Sequence, residues 1–535
     1  MVAVKAPGFG LKVDGKDARP RFPNAISGWR SNGVPVREQR MLAFIDRISD
    51  KPNWETKVFD ETILAKWREE ASARPEDLNG DVVLSEEMFD FCIKELQDKA
   101  ETFKKTGLVN IYDSEVTIVK SDTAVSEDLR QSLIQAVKVL EDVPDHKRTG
   151  TPARRGPSST CSILRSSRGR QKEYGSFQWL PTDVELTDSG AKFLGYVNNL
   201  HPERHAEVVK VLEKMVDAAL PLWNESLSGY YLRPRIDLAG TGSDDWCYPE
   251  GLKYQIPGRE GPMSCHFYDW KTSNRILVYR EPRAYEPQAS LPKTHCRDLE
   301  DLVTDLKKQS PDNTIQVIVK LANIELTPEN PHYAGGSWHV EGALNEGICA
   351  TAIYYYEQDN ITDSHLRFRQ GLDAEEIIML PEQNEYESLE RFLGVEQEGS
   401  AVQELGEVLT RESRMLVFPN CMQHQVQPFE LQDPTRPGRR KILAMFLIDP
   451  NRPVLSTCNV PPQRRDWWAD EVRRQNALDK LPAELFDHTV GLVDDFPISW
   501  EKALEYREKL MEERSNMNDK VTDEIISEAF SFCEH

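Results

Sequence analysis

From about residue 313 the apolar residues of this chain stop recurring every three or four positions and begin to alternate. NTIQVIVKLANIEL sets Ile315, Val317, Val319 and Leu321 on one face. The runs ICATAIYYYE, EEIIML, RMLVF, HQVQPFEL and RRKILAMFLID follow, separated by Gly, Pro, Asn or charged loops. Period two marks a strand, and short strands in succession without intervening helices define an antiparallel barrel or jelly roll. The rest of the chain must fold around that element.

Upstream the period is helical. REQRMLAFIDRI, DETILAKWREEA and SEEMFDFCIKELQDKAETF each repeat apolar residues at three and four residue steps, and SEDLRQSLIQAVKVLEDV lines up Leu129, Leu133, Val137 and Leu140 behind Ser126 as cap. PERHAEVVKVLEKMVDAALPLW puts Val208, Leu212, Met215 and Ala219 on a common stripe. After Pro450 the chain turns polar and helical again, ending in SWEKALEYREKLMEERSN, and these last segments are expected to brace the barrel from outside. The expected class is α+β, in five parts: a mainly helical region 1–144, a basic segment 145–172, a helical region 173–300 packing on the barrel, a β core 301–460, and a helical extension 461–535.

With 89 acidic against 66 basic residues the formal charge is −23, which repels phosphate backbones and anionic lipid. No nucleic-acid or membrane partner is expected; a small molecule or a protein is. There is no apolar leader at the N-terminus and no apolar run long enough to span a bilayer, so the expected location is the cytoplasm, with the nucleus left open. The nine scattered cysteines, odd in number and never spaced CxxC, fit a reducing compartment.

The chemistry is carried by GGSWHVEG, residues 335–342. On a strand, His339 and Glu341 project to one side, about 7 Å apart along the backbone. Alone, an H-x-E triplet is weak. Downstream, however, FPNCMQHQVQPFELQDPTRPGRRKILAMFLIDP offers His424 on a further strand, which a barrel can bring beside the first pair. Two imidazoles and one carboxylate on one face of a metal form the arrangement associated with non-haem Fe(II) oxygenases. The Arg pair opening the last strand then has a use: a guanidinium fork can hold the far carboxylate of a keto-diacid cosubstrate. Arg440 is the first choice, with Arg439 or Arg436 in reserve. The pair His201 and His205, four apart, has no third ligand nearby.

GGSWHVEG with the later HQVQPFEL and GRRKILAMFLIDP resembles the double-stranded β-helix (jelly-roll) core of Fe(II)/2-oxoglutarate oxygenases, where H-x-D/E, a distal His and a basic residue recur in this order. More closely, IQVIVKLANIELTPENPHYAGGSWHVEGALNEGICATAIYYYEQDNITDSHLRFRQ is similar to a large fungal family catalogued as a domain of unknown function, and the similarity runs from PGFGL through FQWLP and YVNNLHPERH to the barrel. The resemblance implies metal ligands His339, Glu341 and His424, with Arg440 on the 2-oxoglutarate tail. The polar barrel residues Asn345, Tyr354, Tyr356 and Arg369 are candidates for contact with cosubstrate or substrate. It implies Fe(II) as metal, 2-oxoglutarate and O2 as cosubstrates, and hydroxylation or another oxidation of a small molecule; the same ligand set also suits manganese or zinc. The alternatives are a Jumonji-like protein hydroxylase, whose partner is a protein, and a non-catalytic binding scaffold.

Within 145–172 the chain reads DHKRTGTPARRGPSSTCSILRSSRGRQK, with eight basic residues against one acid. One reading is a solvated loop, another a binding arm. A third comes from the family: relatives carry Trp-His-Pro-Gly and then Leu-Val-His-Pro-Ser-Leu here, and codons for His-Pro-Gly-Ser read one base later give Thr-Pro-Ala-Arg. On this hypothesis the segment is an out-of-frame or mis-spliced translation; a transcript sequence that encodes TPARRG intact would remove it.

Overall fold

The computed structural model describes residues 21–72, 84–141, 176–228, 233–238, 243–250, 270, 273–287, 304–381, 386–475, 478, 480–493 and 496–531. The segment 145–172 lies outside these, and so does the question of its reading frame.

Fifteen strands are present among the described residues: β1 Val109–Ile111, β2 Ile118–Ser121, β3 Thr182–Thr187, β4 Gly190–Phe193, β5 Trp246–Cys247, β6 Ile276–Leu277, β7 Thr314–Leu326, β8 His332–Tyr333, β9 Ile348–Asp359, β10 Ser364–Gly371, β11 Val402–Thr410, β12 Met415–Pro419, β13 Gln423–Val426, β14 Phe429–Glu430 and β15 Gly438–Ile448. Eight form one large antiparallel sheet in the order β1-β2-β12-β9-β15-β7-β3-β4, and a smaller sheet runs β11-β10-β13. The fold is thus a mixed α+β one built on a large antiparallel sheet.

From β7 onward the chain passes back and forth between the two sheets. β7, β9, β12 and β15 lie side by side in the large one, while β10, β11 and β13 form the small one. His339, between β7 and β9, bridges to His424 of β13 and so adds the GGSWHVEG stretch to the edge of the small sheet. That stretch is joined to β13 by this bridge and by the Gly336 N–H to Val426 O bond at 2.9 Å, which is less than a full strand.

Side-chain alternation separates two cores. Ala350, Ala352, Tyr354 and Tyr356 of β9, with Leu443, Met445 and Leu447 of β15, face the helices Glu127–Glu141 and Ala206–Leu227. Ile353 and Tyr355, with Ile442 and Ala444, face the small sheet instead, where they meet Leu366, Phe368, Leu405 and Val408. The stripe read from sequence, Val208, Leu212, Met215 and Ala219, is the buried face of the second helix. Burying side chains such as Val, Leu and Met at about 1.5–3 kcal/mol each outweighs the marginal stability of an isolated helix, so packing holds this helix in place.

On the long helix Trp500–Ser527, Met517, Val521 and Ile525 pack against Val340 and Ala343, behind the histidine stretch. Three local expectations are corrected. EEIIML is not a strand; Ala374–Ile378 is a short helix, started by Asp373, whose side chain accepts from the Glu376 N–H, with two acids in its first turn. The N-terminal and middle regions, read as helical, each also give a strand pair to the large sheet, β1-β2 and β3-β4. Those strands are only three to six residues long, too short for periodicity to reveal.

Among the described residues no helix is long and apolar enough to cross a membrane. The described cysteines Cys92, Cys247, Cys349, Cys421 and Cys458 are all free thiols.

Candidate metal centre

His339 and His424 are joined by a reciprocal backbone pair, His339 N to His424 O at 3.1 Å and His424 N to His339 O at 3.0 Å. Directly opposed residues of an antiparallel pair place their side chains on the same side. The two imidazole rings accordingly sit 4.2 Å apart between centroids. Glu341, two residues on, returns to that face: its Oε1 is 3.8 Å from His339 Nε2 and 3.6 Å from His424 Nε2. One ligand atom from each residue lies within 4.8 Å of the others, the one such group among the described residues.

These donors fit a divalent ion. His339 Nδ1 lies 2.8 Å from the Ser337 carbonyl oxygen, to which it donates, so Nε2 presents its lone pair to the site. Burial and the neighbouring His424 pull the His339 pKa down to about 4, against the pull of Glu341, and the ring is neutral at physiological pH. Burial alone would raise the Glu341 pKa. The neighbouring His424 and His339 rings and the charge of Lys320 instead hold it well below the usual carboxylate range. Neutral imidazole and ionised carboxylate are the forms that bind metal.

Sequence inspection missed Asn420. Buried at the end of β12, its side chain accepts from the Glu341 N–H at 2.8 Å and donates to the carbonyls of Glu341 at 2.8 Å and Ile348 at 3.1 Å. It therefore fixes the backbone that carries the carboxylate. A polar Asn after the apolar run MLVFP was the available signal.

Arg440 points into the space between the sheets and is fully buried. Its Nη1 donates to Ser364 Oγ at 3.0 Å, and the guanidinium lies over the rings of Tyr355 at 4.4 Å and Phe429 at 5.3 Å. Nε and Nη2 have no hydrogen-bond acceptor among the described residues, and no carboxylate pairs with the group. Burial lowers its pKa from the ordinary value, with only Tyr355 and Tyr333 opposing. An unpaired buried cation is costly, and it is a ready seat for an anion.

The structure does not bring the other candidates to this face. Arg439, one residue away on β15, points to the opposite side and binds Glu357 at 2.6 Å in partial exposure. Arg436 lies exposed in the loop before β15, near Asp433 and Asp359. Tyr354 and Tyr356 are on the helix-covered face. Arg369 opposes Gln423 rather than His424, so it lies on the outer face of the small sheet, donating to Gln423 Oε1 at 2.8 Å and stacking over Trp338 at 4.5 Å. Asn345 donates to the Phe177 carbonyl at 3.0 Å, a loop contact. His201 and His205 use Nδ1 as acceptors for backbone N–H groups of their own turn.

The large sheet's inner face runs past Arg440 toward the metal group. Inner-face positions on β7 and β15 are Lys320 opposite Ala444, then Ala322 opposite Ile442, then Ile324 opposite Arg440. Lys320, Ala322, Ile442 and Ala444 are partly accessible, although they face the interior. From Ala444 to Arg440 is four residues, roughly 13 Å.

A mixed fold carrying a His-Glu-His group able to hold a metal is the class these observations define. The chain belongs to the family described as protein of unknown function DUF4246, whose model matches residues 86–160 and 158–471; the model of its N-terminal domain of unknown function matches 6–70. The two longer stretches meet inside the basic segment 145–172. No curated protein matches the sequence. Among solved structures the chain is similar, at 10% identity and TM-score 0.28, to the Fe(II)/(alpha)ketoglutarate-dependent dioxygenase TqaL, over 66% of this chain and 85% of that one. It is also similar to IDO from Bacillus thuringiensis, at 8% identity and TM-score 0.25, over 65% of this chain and 93% of that one. Oxalate decarboxylase from Bacillus subtilis matches at 14% identity and TM-score 0.13, over 32% of this chain and 34% of that one. At such distances these likenesses carry no functional weight, and the site is read from its own residues.

Proposed function

We propose that the two interleaved sheets are a double-stranded β-helix and that the protein is an Fe(II)- and 2-oxoglutarate-dependent oxygenase acting on a small molecule. One observation carries the proposal: a His-Glu-His group and a buried Arg with no carboxylate partner among the described residues both face the interior between the two sheets.

His339 and His424, through Nε2, and Glu341, through a carboxylate oxygen, would hold the iron and leave positions open for cosubstrates. Iron bound there would supply, with 2-oxoglutarate and O2, an oxidation in which the keto acid becomes succinate and CO2 and the substrate gains one oxygen atom. The protein's part is placement. Asn420 holds the Glu341 backbone, and the Ser337 carbonyl sets the His339 tautomer. Phe418, its ring tilted against that of His424 at 4.8 Å, and Phe368 behind it keep water from one side of the ligands. Arg440 and Ser364 would receive the far carboxylate of the keto acid, a charge-assisted contact in a water-poor site.

The test is O2 uptake by the full chain supplied with Fe(II) and 2-oxoglutarate. The expected result is consumption matched by succinate and abolished in His424→Ala. No uptake above the metal-only background in folded wild type would count against the proposal.

A further inference from the structure

The two arms of the metal group come from distant parts of the sequence, and their backbones meet at the His339–His424 bridge and the Gly336 N–H to Val426 O bond. Ligand atoms that close on one ion must be held to within about 0.5 Å, which a join this short does not secure by itself. The residues that alternate with the ligands along each arm face away from the metal, and the support lies on that side.

Trp338, preceding His339, has the Arg369 guanidinium over its ring at 4.5 Å, and Arg369 Nε donates to Gln423 Oε1 at 2.8 Å. Gln423, preceding His424, is fully buried, and its Nε2 donates in turn to Thr522 Oγ1 at 2.9 Å. Val340, between His339 and Glu341, is buried as well, and its N–H donates to Asn518 Oδ1 at 3.3 Å. Beyond Glu341 the chain turns through Glu346, whose carboxylate accepts from the Ala343 N–H at 3.0 Å and pairs with Arg514.

Arg514, Asn518 and Thr522 stand four residues apart on the helix Trp500–Ser527 and so form one stripe. It runs beside the apolar stripe of Met517, Val521 and Ile525 that packs on Val340 and Ala343. The polar face of an outer helix ordinarily meets water. Here each member of the stripe meets a different part of the metal-bearing chain, and one helix reaches both arms: the His339–Glu341 arm through Asn518, the His424 arm through Thr522 and Gln423.

We propose that Asn518 and Thr522 are positioning residues for the metal group, and that the helix Trp500–Ser527 sets the distance between its two arms. This rests on the metal assignment and deepens it, adding to the ligands a support that lies about a hundred residues further along the chain.

The experiment uses the full chain and Co(II), whose visible absorption reports the geometry of its ligands. Wild type is compared with Asn518→Leu/Thr522→Val, which removes both acceptor oxygens, and with Asn518→Asp/Thr522→Ser, which keeps both. Leu510→Ala is the control for stability: Leu510 is a buried residue of the same helix whose packing is with Phe177, Trp179 and Tyr506. Urea denaturation gives each midpoint. Asn518→Leu/Thr522→Val is expected to lose about tenfold or more in Co(II) affinity, with an altered absorption of the bound ion, as for the loss of other outer-shell partners. Asn518→Asp/Thr522→Ser should bind close to wild type, and Leu510→Ala should bind as wild type despite a lower midpoint. A folded Asn518→Leu/Thr522→Val with wild-type affinity and absorption overturns the proposal. So does an equal loss of affinity in Leu510→Ala, because the helix would then act through stability alone. If the double variant does not fold, Thr522→Val, which exchanges only a hydroxyl for a methyl, carries the same test. A wild type that takes up no Co(II) overturns the metal assignment itself, and this proposal with it.

Discussion

Replacing Asn420 by Ala removes three hydrogen bonds from a side chain that is 1% exposed: one accepted from the Glu341 N–H and two donated to the carbonyls of Glu341 and Ile348. The Ile348 carbonyl keeps its bond from Asn24, so two backbone groups of Glu341 are left without their partner at about 1–3 kcal/mol each, and the expected loss is roughly 2–6 kcal/mol. Against a total of about 5–15 kcal/mol the variant still folds, with a lower midpoint. The same change frees the Glu341 backbone, and a loss of about 10–100-fold in metal affinity is expected, the usual result of removing an outer-shell partner. Asn420→Asp keeps the acceptor for the Glu341 N–H but sets a carboxylate against two carbonyls, so its stability should fall as far or further. Urea denaturation and Mn(II) titration of the three proteins check both numbers. An Asn420→Ala protein within 1 kcal/mol of wild type that binds metal equally well would refute the positioning role.

Arg440→Met should lose more than tenfold in 2-oxoglutarate affinity yet gain stability without ligand, by about 1–4 kcal/mol, because a buried cation with no carboxylate partner among the described residues is replaced by an apolar chain. Arg439→Gln, which alters only an exposed contact with Glu357, should leave 2-oxoglutarate binding unchanged by calorimetry. Tyr354→Phe, on the helix-covered face, should leave metal and 2-oxoglutarate affinity as they are; a change in either would place the hydroxyl in the site. For Asp122, burial raises the pKa but hydrogen bonds from Arg414 and Arg411 win and hold it at about 2. A carboxylate held low contributes stability above its unfolded pKa, near 3.9, and loses it as pH falls through the folded value. The urea midpoint should therefore drop between about pH 4 and pH 2, and less steeply in Asp122→Asn, which lacks that titration.

Much of the site was legible because strand periodicity tells which residues share a face. His339 and Glu341 are two apart, and the order H-x-E, His, Arg survives any loop length between them. Where every position of a strand is buried, that signal disappears. β9 is buried on both faces from Ile348 to Tyr356, so nothing in IYYYE distinguishes Tyr354 from Tyr355; only the register with β12 and β15 does. Arg439 and Arg440 pose the same problem one residue apart, and pairing with Ile324 inside the sheet resolves it. Arg369 failed for a related reason, since its neighbour Phe368 opposes His424.

The most direct measurement is anaerobic: add Fe(II) and then 2-oxoglutarate to wild type, His339→Ala, Glu341→Ala and Arg440→Met, and follow the visible charge-transfer band of a metal-chelated keto acid. The expected outcome is a saturable band in wild type, no band in the two ligand variants, and a band in Arg440→Met only at much higher 2-oxoglutarate. Folded wild type without a band, or a band that persists in Glu341→Ala at the same concentrations, would contradict the assignment of His339, Glu341 and His424 as an iron site.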